Sequence, residues 1–331
     1  MPKAPEHILL SRTDSIGDVM LTLPLAGLLK QLFPGTCMTF LGRSYTAPVL
    51  RCCAHVDQVI TLEELEAQGD AVAVRTLREL NAQVVVHVFP QRQVAGWCKK
   101  AGIHTRIGTS HRWWHWTTCD KRVAFSRRKS ELHEAQLNVK LLAPLGITDI
   151  PDLPTLAELS GFTAPVADER VRGLVQPGVR NIILHPLSKG SAVEWGLDHF
   201  AALIEHLDPA HHRVIVTGTA AEAERYRKEL PLHLPHVSDA GGSLDLTQLI
   251  ALIGACDALV AASTGPLHIA AACGIRAVGL YSPKRPIHPG RWAPIGTDAH
   301  VLVADGLDPD GDPMAHIRAI SPDAVLRLLQ W

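Results

Sequence analysis

Asp18 closes the stretch Arg12-Thr13-Asp14-Ser15-Ile16-Gly17-Asp18, set between the apolar run HILLS and the amphipathic run VMLTLPLAGLLKQLF. This pattern predicts a loop at the carboxyl end of a parallel strand, where open α/β sheets place ligands. Asp18 then falls at or near a helix N-terminus. Its plain role there is a helix cap. The same dipole and capping bonds favour the ionised carboxylate, which suits a general base. The stretch has one glycine where the dinucleotide fingerprint needs three, which argues against a nicotinamide enzyme.

A second cluster, Ser263-Thr264-Gly265-Pro266-Leu267-His268, follows the apolar run Ala258–Ala262. Pro266 fits the first helical position, making Gly265 the expected N-cap. The N–H groups of Gly265, Leu267 and His268 would then point out of the helix end as an anion site. Ser263 and Thr264 add hydroxyls, and the His268 imidazole could donate to a phosphate oxygen. An ordinary strand–helix turn with a core histidine is the simpler alternative. The co-occurrence of Ser, Thr, Gly, Pro and His favours phosphate binding.

Other clusters are weaker. The segment His111 to Lys129 carries Arg112, Lys121, Arg122, Arg127, Arg128 and Lys129 beside Trp113, Trp114 and Trp116. Positive charge next to aromatics suits a sugar-phosphate headgroup or a membrane surface as well as an ordinary basic loop. His111 and His115 share a helix face but lack a carboxylate to complete a metal set. Asp308, Asp310 and Asp312 fall in a Gly/Pro loop and read as a solvated turn. No metal and no cofactor are expected.

The elements that must position these residues alternate between short β-branched runs and helical stretches, the pattern of parallel α/β sheets. Strands are expected near His7–Ser11, Met38–Leu41, Val56–Ile60, Val84–Phe89, Thr105–Ile107, Asn181–His185, Arg213–Thr217, Ala258–Ala262, Ala277–Tyr281 and His300–Val303. The clearest helices are Val19–Phe33, Ala71–Leu80, Leu132–Leu145, Leu197–His206, Ala220–Leu230, Leu246–Ala255, Pro266–Cys273 and Pro322–Leu329. The Pro-, Gly- and Ala-rich stretch around 150–178 reads as a linker. A chain of 331 residues exceeds the usual size of one core, so two domains are expected. A net charge of −1 gives no general attraction to nucleic acid. The seven cysteines lack zinc spacing, and the N-terminus lacks a signal-peptide pattern. Both point to the cytoplasm.

The stretches RTDSIGDVMLTLPL, RIG at Arg106–Gly108, ILHPLSKGSAVEWGLDHFAALI and STGPLHIAAACGIRAVGLYSP occur in an order that resembles the ADP-heptose:lipopolysaccharide heptosyltransferases, inverting enzymes of glycosyltransferase family 9. The resemblance implies an α/β fold of two facing Rossmann-like doubly wound parallel-sheet domains (GT-B) with a cleft between them. It places an acceptor domain at 1–165, a nucleotide-sugar domain at 166–315, and a last helix, 316–331, crossing back to the first domain. It implies metal-independent transfer of heptose from ADP-heptose to the anionic inner core of lipopolysaccharide, with peripheral contact at the cytoplasmic face of the inner membrane.

Carried over by residue, Asp18 falls on the catalytic aspartate. Ser263, Thr264, Gly265, Leu267, His268 and Lys189 fall at or near the donor diphosphate. Thr247 and Ser188 lie in the nucleotide and ribose vicinity. Arg12 matches a basic position that lines the cleft; with Ser15, and with Arg127, Arg128 and Lys129 of the basic stretch, it is expected on the acceptor side. Three positions depart from the family. Val193 stands where a Lys or Arg usually contacts the diphosphate, leaving Lys189 as the nearby cation. Ser263 stands where an acidic residue is usual, and Thr247 where a ribose-contacting Glu is usual. Another nucleotide sugar, an epimerase activity or a non-catalytic sugar-nucleotide-binding role are the alternatives.

Overall fold

The computed structural model describes residues 4–127 and 130–330. Among these residues twelve strands form two sheets, most of them from apolar, β-branched runs. The first contains β1 (His7–Ser11), β2 (Cys37–Gly42), β3 (Gln58–Thr61), β4 (Val84–His87), β5 (Thr105–Thr109) and β6 (Lys121–Val123). The second contains β7 (Arg180–His185), β8 (His212–Val216), β9 (Val237–Asp239), β10 (Ala258–Ala262), β11 (Arg276–Leu280) and β12 (Ala299–Leu302). The spatial orders are β3-β2-β1-β4-β5-β6 and β12-β11-β10-β7-β8-β9. The pairs within both sheets are parallel, as in β1 with β2 and β7 with β10. Each order reverses once, between β1 and β4 and between β7 and β10. These are the switch points where doubly wound sheets bind ligands. The α/β, doubly wound expectation is met in both halves.

The chain divides into two compact units, Met1–Thr163 and Ala164–Trp331, where a boundary after residue 165 was expected. The central strands β1, β4, β7 and β10 are buried and largely apolar because helices cover both faces of a parallel sheet. Burial of Trp97 in the first unit and of Trp195, Phe200 and Tyr226 in the second anchors the helices to the sheets. A fully buried side chain of this size contributes roughly 1.5–3 kcal/mol relative to exposure.

Details of the expected elements change. The run Val19–Phe33 is two helices, Ile16–Met20 and Leu23–Leu32, because Pro24 lacks an N–H and crowds the carbonyl four residues back. Strands β6 and β9 are additional, each three residues long and at a sheet edge. The last helix, Pro322–Leu329, packs within the second unit. Val325 and Leu329 join the core of Trp195, Leu197 and Phe200, and Trp195 Nε1 donates to Ile320 O at 2.8 Å. Its apolar face is therefore spent on its own unit. Among the described residues, no helix is long and apolar enough to cross a membrane.

Candidate active site

In the first unit, β1 ends at Ser11, opposite Leu41 of β2 and His87 of β4. The next residues form the loop at the switch point. Ser15 is the N-cap of helix Ile16–Met20, but its hydroxyl makes no capping bond. It donates instead to Asp18 Oδ2 at 2.5 Å. Asp18 is thus the third residue of that helix and not its cap. Its other carboxylate oxygen accepts from Arg12 Nη2, and Thr22 Oγ1 donates to its backbone carbonyl at 2.8 Å. The side chain of Asp18 is 18 % exposed. The carboxylate is therefore fixed by two side-chain donors while keeping an open face.

Arg12, expected on the acceptor side, is almost wholly buried and is spent on carboxylates. Its Nε lies 2.9 Å from Asp14 Oδ1, and its Nη1 lies 3.3 Å from Glu134 Oε1. Burial works against its charge, but Asp14, Asp18 and Glu134 more than offset that and hold its pKa above the ordinary guanidinium value. Asp14 is pushed upward by burial, against the pull of Arg12, and Asp18 adds to the push. Behind them, Arg127 Nε donates to Glu134 Oε1 at 2.9 Å. Arg128 and Lys129, the other two expected acceptor cations, lie outside the described residues.

Sequence reasoning missed Asp14, Glu134 and Asn138. The last two face Arg12 one turn apart on helix Glu134–Lys140. Their i, i+4 spacing puts them on one helix face, but nothing in the sequence aims that face at Arg12.

A basic aromatic surface follows β5. Trp113 and Trp116 are more than half exposed. Arg92 lies over Trp113 at 4.7 Å and Arg122 over Trp116 at 4.6 Å. His115 is buried, with Nδ1 bonded to Thr109 O at 2.9 Å, so its role is structural.

In the second unit the switch-point loops follow β7 and β10. Thr264, not Gly265, is the N-cap of helix Gly265–Ala272; its φ of −123° and ψ of 165° are extended. Pro266 occupies the first turn as expected. The Thr264 hydroxyl makes no capping bond, and among the described residues its oxygen has no hydrogen-bond partner although the residue is 5 % exposed. This shift of one position takes the His268 N–H into the helix, where it donates to Thr264 O at 3.4 Å. His268 itself is buried in the first turn, and the Leu267 side chain is wholly in the core, leaving only its N–H for a ligand. Ser263 hydrogen-bonds the Tyr281 phenol, whose pKa burial pushes up against that bond. A buried hydroxyl without a partner beside a helix N-terminus has the chemistry to donate to an anionic oxygen.

On the β7 side, Lys189 is exposed in a left-handed backbone conformation, φ 49°. Its field helps to hold Glu222 below the ordinary carboxylate range, where bonds from Thr219 outweigh the burial that opposes them. Ser188 serves its own loop: its hydroxyl bonds Ala192 O at 2.9 Å, and its N–H donates to Glu194 Oε1 at 3.0 Å. Val193 is half-buried against the second core. Thr247 is exposed in the first turn of helix Leu246–Ala255, which Asp245 caps. His185, at the end of β7, was also missed. It bonds Thr217 Oγ1 at 2.9 Å, and burial lowers it to about 4 against the pull of Glu222.

The aspartates of the 308–312 loop serve the backbone. Asp308 accepts from the Asp310 N–H at 3.0 Å, and Asp312 caps helix Pro313–Arg318.

The sequence model of glycosyltransferase family 9 (heptosyltransferase) matches residues 74–309. A Haemophilus influenzae protein designated, provisionally, a glycosyltransferase is 28 % identical over 308 residues, covering 89 % of this chain and 88 % of that one. Lipopolysaccharide heptosyltransferase 3 of Escherichia coli K12 is 22 % identical over 276 residues, covering 80 % and 79 %. The structure of E. coli ADP-heptose lps heptosyltransferase II superposes with a TM-score of 0.75 at 21 % identity, covering 98 % and 97 %. The last likeness identifies the paired sheets as the GT-B fold. The chain belongs to glycosyltransferase family 9, the heptosyltransferase family, and is a glycosyltransferase.

Proposed function

We propose that this protein transfers heptose from ADP-heptose to an anionic acceptor in the inner core of lipopolysaccharide, with inversion and without a metal. The observation that carries the reading is the α-helical N-terminus at Thr264–Leu267, whose buried Thr264 hydroxyl lacks a partner among the described residues at the switch point of the second sheet. It suits the diphosphate of a nucleotide sugar. The E. coli relatives named as heptosyltransferases support the heptose and the lipopolysaccharide acceptor.

In this reading Asp18 takes the proton from the acceptor hydroxyl as its oxygen attacks the anomeric carbon. Arg12 and Ser15 fix the carboxylate, and its open face receives the proton. Bond cleavage on the opposite side of that carbon leaves negative charge on the diphosphate. The N–H groups of Gly265 and Leu267 and the Thr264 hydroxyl stabilise that charge, with Lys189 as an added cation and His268 as a further donor. These fixed donors do the work a metal would do elsewhere. The exposed Trp113 and Trp116 with their arginines suit the sugar-phosphate of the acceptor.

A second donor sugar is favoured by one observation: Val193 packs its side chain on the core at the position where the family resemblance implies a cation. Incubation with ADP-heptose and a heptose-free Kdo–lipid acceptor, beside a panel of other nucleotide sugars, separates the two. Transfer from ADP-heptose supports the first reading; transfer only from another donor replaces it.

A further inference from the structure

Arg12 does not reach Asp18 alone. Its guanidinium also meets Asp14 and, from 122 positions away, Glu134. Glu134 is 1 % exposed, in the first turn of helix Glu134–Lys140. Asn138, one turn on, accepts from Arg12 Nη1 at 3.1 Å and donates to Leu21 O at 3.0 Å, tying the same helix to the end of the Asp18 helix. Arg127 Nε meets the same oxygen, Glu134 Oε1, at 2.9 Å. Among the described residues, two guanidiniums thus face three carboxylates, Asp14, Asp18 and Glu134. Tyr45 completes the surround by donating to Asp14 O at 2.6 Å, and Arg43 and Glu63 act on it from beyond.

A guanidinium devoted to Asp18 alone would stabilise its charged form and weaken it as a base. Each further carboxylate on Arg12 opposes that effect. We infer that Glu134 is a positioning residue for the transfer. It fixes where Arg12 meets Asp18 and offsets part of the guanidinium charge, which keeps Asp18 a competent proton acceptor. The inference rests on the reading of Asp18 as the base.

The test is the pH dependence of kcat at saturating donor and acceptor. Glu134→Gln keeps the shape and removes the charge. Its acid limb moves to lower pH by about half a unit or more, and its plateau falls about three- to tenfold, with the donor KM unchanged. Glu134→Asp returns the limb towards wild type. Arg127→Gln, at a partly exposed position, removes the competing cation and moves the limb to higher pH. Should Glu134→Gln not fold, the Arg127→Gln limb decides: an upward shift supports the inference and no shift overturns it. Wild-type pH profiles in both variants also overturn it. Asp18→Asn separates the two claims. If it turns over like wild type, the base assignment fails. If it is inactive while both neighbours titrate like wild type, only the role of Glu134 fails.

Discussion

Arg12 and Asp18, six residues apart across one strand-end loop, form an ion pair in which the arginine is buried and the aspartate keeps an open face. The pairing fixes the Asp18 carboxylate without consuming it, since Ser15 takes only one further lone pair. Arg12 is therefore a counter-ion held by the chain, and its buried charge is not available to an acceptor phosphate.

The Thr264 hydroxyl separates binding from stability. It is buried without a partner among the described residues, so Thr264→Val removes a group the fold does not use. Its thermal midpoint should match or exceed that of wild type. Affinity for the nucleotide sugar should fall about tenfold or more, the cost of one hydrogen bond to a charged oxygen. Calorimetry checks both; a destabilised variant with unchanged affinity contradicts the assignment.

Stability should fall on acidification through two buried histidines. Burial lowers His87 to about 3, with His115 and Arg106 adding to the effect, and lowers His185 to about 4. The unfolded chain takes up these protons near pH 6.5, while the folded chain does so only near the lowered values. Between those limits the unfolded state binds more protons, so stability drops as pH falls from 6.5 by on the order of 1.4 kcal/mol per unit for each histidine. Both His87 ring nitrogens lack partners among the described residues, so His87→Leu should fold and lose part of this slope. Urea titrations at pH 6.5 and 4.5 measure it.

Val193→Lys tests the donor departure. Val193 is only half-buried, so a lysine stem can cover the same apolar surface and carry its ammonium outward. The KM for ADP-heptose should fall several-fold, as expected of about 1 kcal/mol of added charge–charge attraction. An unchanged KM places the diphosphate away from this position.

The strands were legible because apolar runs of four to six residues stand out from the polar sequence around them. The edge strands β6 and β9 were not. Lys121 and Arg122 are exposed, and Asp239 bonds Tyr226 and Arg227, so neither strand carries an apolar period. Pro24 was visible, yet the amphipathic run around it hid the helix break. Asp18 and Thr264 could be singled out in the sequence because each lies at a strand–helix junction with its own chemistry. Glu134 was not, because its meaning depends on Arg12, which only folding brings beside it. The packing of the last helix was not legible for a similar reason: its apolar stripe shows that it packs, but not that Trp195 and Phe200 receive it.

The most direct measurement is heptose transfer by wild type and by Asp18→Asn, with ADP-heptose and a heptose-free Kdo–lipid acceptor, without added metal. The account predicts transfer with inverted anomeric configuration by wild type. It also predicts a loss of about 10²–10⁴-fold in kcat for the variant, the usual contribution of a general base. No transfer by folded wild type, or equal turnover by the variant, contradicts it.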